Sequence, residues 1–178
     1  MAAYFLILAI VTTLVILLGA KTSLLKDTST SPKPPFSLAR TQLAFWTVIV
    51  FSSFVYLLFK NPHDIPEINN VNLILLGIAV GTTATGKLID DSQKNKTQLS
   101  QNFASQGLLI DLTSDMNGVS IHRLQNVLWT LAVGVIYIQY VAAQSSLPDE
   151  TVLTTNLMIL MGISTGAYVG LKTMENAS

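Results

Sequence analysis

SLARTQLAFWT, residues 37–47, returns as SIHRLQNVLWT, residues 120–130, and LILLGIAVGTTATGK, residues 73–87, returns as LMILMGISTGAYVGLK, residues 157–172. Ser37, Arg40, Gln42, Trp46 and Thr47 thus correspond to Ser120, Arg123, Gln125, Trp129 and Thr130, and Gly77, Ile78, Gly81 and Lys87 correspond to Gly162, Ile163, Gly166 and Lys172. The chain is a tandem duplication of a two-helix unit. Such repetition in a membrane chain normally becomes pseudo-symmetry in the fold.

Half of the 178 residues are apolar and only 11% are charged, and the charges cluster between long uncharged runs. A soluble domain scatters its charges, so this distribution predicts a polytopic membrane protein. The uncharged runs are Ala2 to Ala20, Thr41 to Phe59, Val71 to Gly86, Leu124 to Ala143 and Thr154 to Leu171. Each approaches the roughly 17–25 residues that cross a bilayer, which gives five spans. The first has no basic leader and no small-residue cleavage site after it, so it is expected to stay as an anchor. The expected fold is all-α: an N-terminal anchor with its linker (1–36), a hairpin repeat (37–87), a cytoplasmic connector (88–119) and a second hairpin with the C-terminal tail (120–178).

Lysine and arginine orient the chain. Lys21, Lys26, Lys33 and Arg40 lie between the first two spans, and Lys87, Lys94, Lys96 and Arg123 between the third and fourth, whereas the remaining links hold only Lys60. The positive-inside rule places the N-terminus outside and the C-terminus in the cytoplasm. The two hairpins then face the same way, related by an axis along the membrane normal.

The proline-bearing segment DTSTSPKPPF, residues 27–36, predicts an extended, semi-rigid linker. Ser37 and Ser120 stand as N-caps of equivalent helices. NPHDIPEINN, residues 61–70, and QSSLPDE, residues 144–150, carry the chemistry of tight external turns. In the connector, Leu99, Phe103 and Ile110 fit one side of a short interfacial helix interrupted at Gln106 and Gly107. DLTSDMNGVS, residues 111–120, lacks the bidentate glutamate of a calcium loop and reads as a solvated turn.

Gly77, Gly81 and Thr85 in the third run and Gly162, Gly166 and Gly170 in the fifth recur every four residues. Small residues in that register let helix backbones approach closely in lipid; the sharper expectation is that they flank a conduction path. Arg40 and Arg123 fall in the first helical turn, where the macrodipole disfavours a cation. Lipid phosphates or a connector carboxylate are the expected partners. Gln42 with Trp46, and Gln125 with Trp129, lie one turn apart, the indoles suited to an interface and the amides to hydrogen bonds between the repeats.

Enzymatic chemistry finds little support. Cysteine is absent, and the only histidines, His63 and His122, are expected on opposite sides of the bilayer, too far apart to share a metal or a proton. No nucleophile elbow or phosphate loop occurs, and no charged side chain falls at mid-span. Zero net charge removes the case for nucleic acid. We expect neither a cofactor nor a metal.

The paired signatures, SLARTQLAFW with LLGIAVGT and DLTSDMNGVSIHRLQNVLWTL with LMGISTGAYVG, resemble a family of small bacterial inner-membrane proteins. The likeness covers about three quarters of the chain. It implies a bacterial source and an inner-membrane address, and no activity. Two readings follow: an oligomeric ion channel or pore-forming subunit, its partners being the bilayer and further copies of itself, or a structural or regulatory membrane subunit that docks a protein at its cytoplasmic face.

Overall fold

The computed structural model describes residues 1–27, 31–77, 104–115 and 118–161. Its elements are α1 (Ala2–Lys21), α2 (Leu38–Lys60), α3 (Asn70–Leu75), α4 (Leu108–Thr113), β1 (Ser114–Asp115), β2 (Gly118–Val119), α5 (Ile121–Gln144) and α6 (Thr155–Leu160). Three of them, α1, α2 and α5, are long and apolar enough to cross a membrane, with mean hydropathies of 2.6, 1.9 and 1.5. They coincide with the first, second and fourth uncharged runs.

Of the third and fifth runs the structure describes only the opening residues. Each begins as a helix of six residues, α3 and α6, and each reaches its C-cap just before an equivalent glycine, at Leu76 and Met161. Gly77 is left-handed, with φ of 68°, and its N–H donates to the carbonyl of Ile74 at 2.9 Å, the geometry of a glycine-terminated helix. The remainder of both runs, with Gly81, Thr85, Gly162, Gly166 and Gly170, lies outside the described residues, as do Leu99 and Phe103.

Helices α2 and α5 run parallel, with α1 antiparallel to α2. At one end of the bundle the linker and the connector meet: Phe36 N–H donates to Asp111 Oδ2 at 3.0 Å, and Ser105 N–H to the carbonyl of Lys33 at 2.9 Å. At the other end Lys60 Nζ donates to Ser145 Oγ, and Asn69 Nδ2 to the carbonyl of Pro148 at 3.0 Å. Both arginine-bearing helix starts therefore stand at the same end.

The segment before α2 folds back instead of extending. Asp27 N–H donates to the carbonyl of Pro35 at 2.8 Å, Ser37 N–H to that of Leu25 at 2.9 Å, and Lys26 Nζ sits 3.4 Å above the Phe36 ring. Prolines supply extended dihedrals, but antiparallel α1 and α2 require a reversal, and these contacts close it. Ser37 and Ser120 do occupy the N-cap positions with extended backbone, yet neither side chain caps its helix.

One hydrophobic cluster joins the three long helices and the two short ones: Tyr4 from α1, Trp46 and Ile49 from α2, Val71 and Leu75 from α3, Tyr137 and Val141 from α5, and Met158 from α6. The outer faces carry Leu6, Ile10 and Leu14 of α1 and Leu131 and Val135 of α5, the apolar exterior that a lipid-facing bundle requires.

Candidate functional site

The two repeats meet where α2 packs on α5. Gln42 Nε2 donates to Thr130 Oγ1 at 2.8 Å and reaches the carbonyl of Met161 at 3.5 Å. One side chain thus ties the first repeat to a hydroxyl of the second and to the end of α6. A terminated helix leaves its last carbonyls without intrahelical donors, and lipid offers none; Gln42 supplies one. The stop at Met161 is level with Thr130, about 14 Å along the roughly 36 Å length of α5 at 1.5 Å per residue. It is inside the span, not at its surface.

The first repeat stops in the same manner. A Cβ on Gly77 would lie 3.2 Å from Leu43 Cδ1, so this glycine provides both the positive φ and a close approach to α2. Beside the junction, Trp46 packs on Tyr137 with ring centroids 6.1 Å apart. The backbone of Gly134 lies directly against the ring of Phe45, which leaves no room for a Cβ.

Toward the end of the bundle that holds the acidic turns, a buried polar cluster fixes where α3 begins. Asn69 Oδ1 accepts from Asn72 N–H at 3.1 Å and from Asn72 Nδ2 at 2.7 Å, Asn72 Nδ2 also donates to the carbonyl of Pro148 at 3.3 Å, and Tyr137 OH donates to Asn72 Oδ1 at 2.5 Å. Asn72 and Tyr137 are fully buried. Sequence reasoning passed over both; the one available signal was an asparagine standing inside an apolar run, where an amide must find partners. Nearby, Tyr4 OH and Ser53 Oγ are 2.9 Å apart, and the buried hydroxyls of Thr41 and Ser52 have no hydrogen-bond partner among the described residues.

Of the other expected site residues that are described, Arg40, Arg123, Gln125 and Trp129 are not gathered at this junction. Arg40 is exposed and donates to the carbonyl of Ser23 at 3.4 Å, so a backbone oxygen at the end of α1 offsets part of the unfavourable dipole. Arg123 is half-buried. Gln125 and Trp129 are exposed, although their counterpart Gln42 is half-buried and Trp46 is buried.

In the connector Asp111 is fully buried, not part of a solvated turn. Its carboxylate accepts from Ser105 Oγ at 2.6 Å, Gln106 N–H at 2.8 Å and Phe36 N–H at 3.0 Å. Burial pushes its pKa up, but the Ser105 hydroxyl, the two backbone N–H groups and the charge of Lys26 together outweigh that and hold it below the ordinary carboxylate value. The stabilisation is therefore complete above the unfolded carboxylate pKa, about 3.9, and is lost as pH falls through the lower folded value. Asp111→Asn turns one acceptor into a donor facing donors. It should cost about 1–3 kcal/mol at pH 7, with the gap to wild type closing in acid. Equal stabilities at neutral pH, measured by denaturant unfolding, would discard this account.

Among the described residues no group of three or more histidines and carboxylates stands close enough to hold a metal ion. No protein-family model matches the chain, and neither a curated protein nor a solved structure does.

Proposed function

We propose that this chain is a five-span integral protein of a bacterial inner membrane, with its N-terminus outside, that assembles as a homo-oligomer and forms a small ion channel or pore. One observation carries the reading: α3 and α6 stop at equivalent positions inside the bundle, at Leu76 and Met161, with Gln42 placed at the second stop. Interrupted helices at membrane depth persist where their backbone is buried in protein or lines a wet cavity, and free helix-end carbonyls are the groups that replace an ion's hydration shell. The glycine-rich stretches that follow, with Gly81, Thr85, Gly166 and Gly170, would flank the path.

The test is flux through purified protein in liposomes. Ion movement above that of protein-free vesicles is expected. It should fall on Gly77→Leu, which strains a left-handed position and crowds Leu43, while oligomer size is unchanged. Reconstituted, correctly sized oligomers that pass no ions would overturn it.

A second reading, a structural or regulatory subunit, draws on the connector. Leu108, Leu109 and Ile110 are exposed there, Leu109 by 73%, on a layer that Asp111 holds in place. A fixed protein partner co-purifying through that layer, without flux, would favour it.

A further inference from the structure

The two repeats share a motif but not its surroundings. Trp46 is 3% exposed and Trp129 39%; Ile49 is buried and its equivalent Ala132 exposed; Phe45 is half-buried and its equivalent Leu128 is 56% exposed. On the opposite sides of the helices the contrast reverses. Thr130 is 5% exposed and Gly134 is buried, whereas their equivalents Thr47 and Phe51 are exposed.

At 100° per residue, Gln42, Phe45, Trp46 and Ile49 share one face of α2, and Gln125, Leu128, Trp129 and Ala132 share the matching face of α5. The first set is used up inside the chain, against the α5 face of Thr130 and Gly134. Among the described residues nothing covers the second set, nor the α2 face of Thr47 and Phe51. A twofold contact between the repeats would have placed both tryptophans in equal environments. The contact is instead head to tail, which leaves one half of the same interface at each side of the molecule.

From this we infer that copies of this chain join head to tail, the Gln125 and Trp129 face of α5 in one copy seating on the Thr47 and Phe51 face of α2 in the next. This deepens the oligomer reading above and rests on it. Gln125 would face Thr47 Oγ1 in the register in which Gln42 meets Thr130 Oγ1. Thr47 Oγ1 can accept: it donates its own proton to the carbonyl of Leu43 at 2.8 Å, and the residue is exposed. A groove of about 500 Å³ between α1 and α2, lined in part by Leu43, Ala44 and Thr47, opens on this face and would receive the Trp129 indole. The new contact is not a copy of the internal one. Phe51 stands where the second repeat has Gly134, and Leu128 where the first has Phe45, so the bulkier partner changes sides and the helices must sit further apart.

The natural chain has no cysteine, so paired cysteines report each contact cleanly. Under oxidation in native membranes, Gln42→Cys with Thr130→Cys should close within one chain and leave its size unchanged. Thr47→Cys with Gln125→Cys should give a ladder of dimers, trimers and higher species. A ladder supports the inference. Gln125→Cys alone giving a strong dimer that extends no further would mean a twofold interface and overturn it. The internal pair closing while the intermolecular pair stays single would also overturn it. Light scattering in detergent then separates the cases: an oligomer lacking the ladder leaves the oligomer reading standing and removes only this interface, and a monomer removes both.

Discussion

Gly134→Leu is expected to separate α2 from α5 and abolish the cooperative unfolding of the bundle in detergent. A Cβ at this position would lie 2.5 Å from Phe45 Cζ, 2.8 Å from Phe45 Cε1 and 3.3 Å from Ile49 Cδ1. The first two distances are closer than carbon atoms can approach. The Phe45 ring cannot simply swing aside, because it packs edge-on against Trp46 with centroids 5.3 Å apart, and Trp46 in turn touches Tyr137. Even Gly134→Ala therefore forces repacking, at about 1–3 kcal/mol. Leucine adds three further carbons in the same place and should exceed that. In lipid, helix association depends on close packing and polar contacts more than on hydrophobic burial, so widening this crossing also lengthens the Gln42 hydrogen bond to Thr130. The rescue is specific: Phe45→Ala should restore most of the loss in the Gly134→Leu background while destabilising the wild-type chain. Thermal melts of helical ellipticity in micelles decide it. A single-variant melt indistinguishable from wild type would show that the crossing is slack.

How much of this was legible follows from what kind of force fixes each part. The long helices were, because Ala2–Lys21, Leu38–Lys60 and Ile121–Gln144 are set by uncharged length, a property of each segment alone, while the serines mark where two of them begin without capping them. Gly77 was legible as a small residue needed near another helix, but not as a helix stop. Both roles ask for a missing Cβ, and sequence spacing cannot separate close approach from positive φ. The burial of Asp111 was hidden for a different reason: its donors come from residues 36, 105 and 106, and only the tertiary meeting of linker and connector brings Phe36 to it. The unequal fates of Gln42 and Gln125 lie deepest. Two motifs with the same glutamine and tryptophan cannot reveal which of them is covered, since that depends on the repeats meeting head to tail. The expected contact between repeats thus falls on the first glutamine alone among the described residues.

Asn72→Asp is expected to be the most damaging substitution of a single atom in the chain. The amide nitrogen it replaces donates to Asn69 Oδ1 at 2.7 Å and to the carbonyl of Pro148 at 3.3 Å. Placing a carboxylate oxygen there sets it against two acceptors, at a position with no solvent exposure. The described hydrogen bonds give the charge one donor, the Tyr137 hydroxyl, and an uncompensated buried charge costs about 3–5 kcal/mol. Tyr137→Phe removes the same cluster's hydroxyl and leaves Asn72 Oδ1 without its 2.5 Å donor, yet introduces no charge. Its cost should stay near the 0.6–1.7 kcal/mol found for hydrogen bonds between membrane helices, taken as about 1 kcal/mol. The ordering between the two variants is therefore the sharp expectation, since loss of packing alone would rank tyrosine, with its larger side chain, above asparagine. Because the cluster joins the start of α3 to α5 and to the turn at Pro148, Asn72→Asp should also open the end of the bundle first. Protease cleavage at residues 61–69 and 145–154 would then precede loss of helical signal. If cleavage and helix loss coincide, or if both variants melt together, the cluster does not anchor the short helix and α3 is held by its apolar contacts with α2.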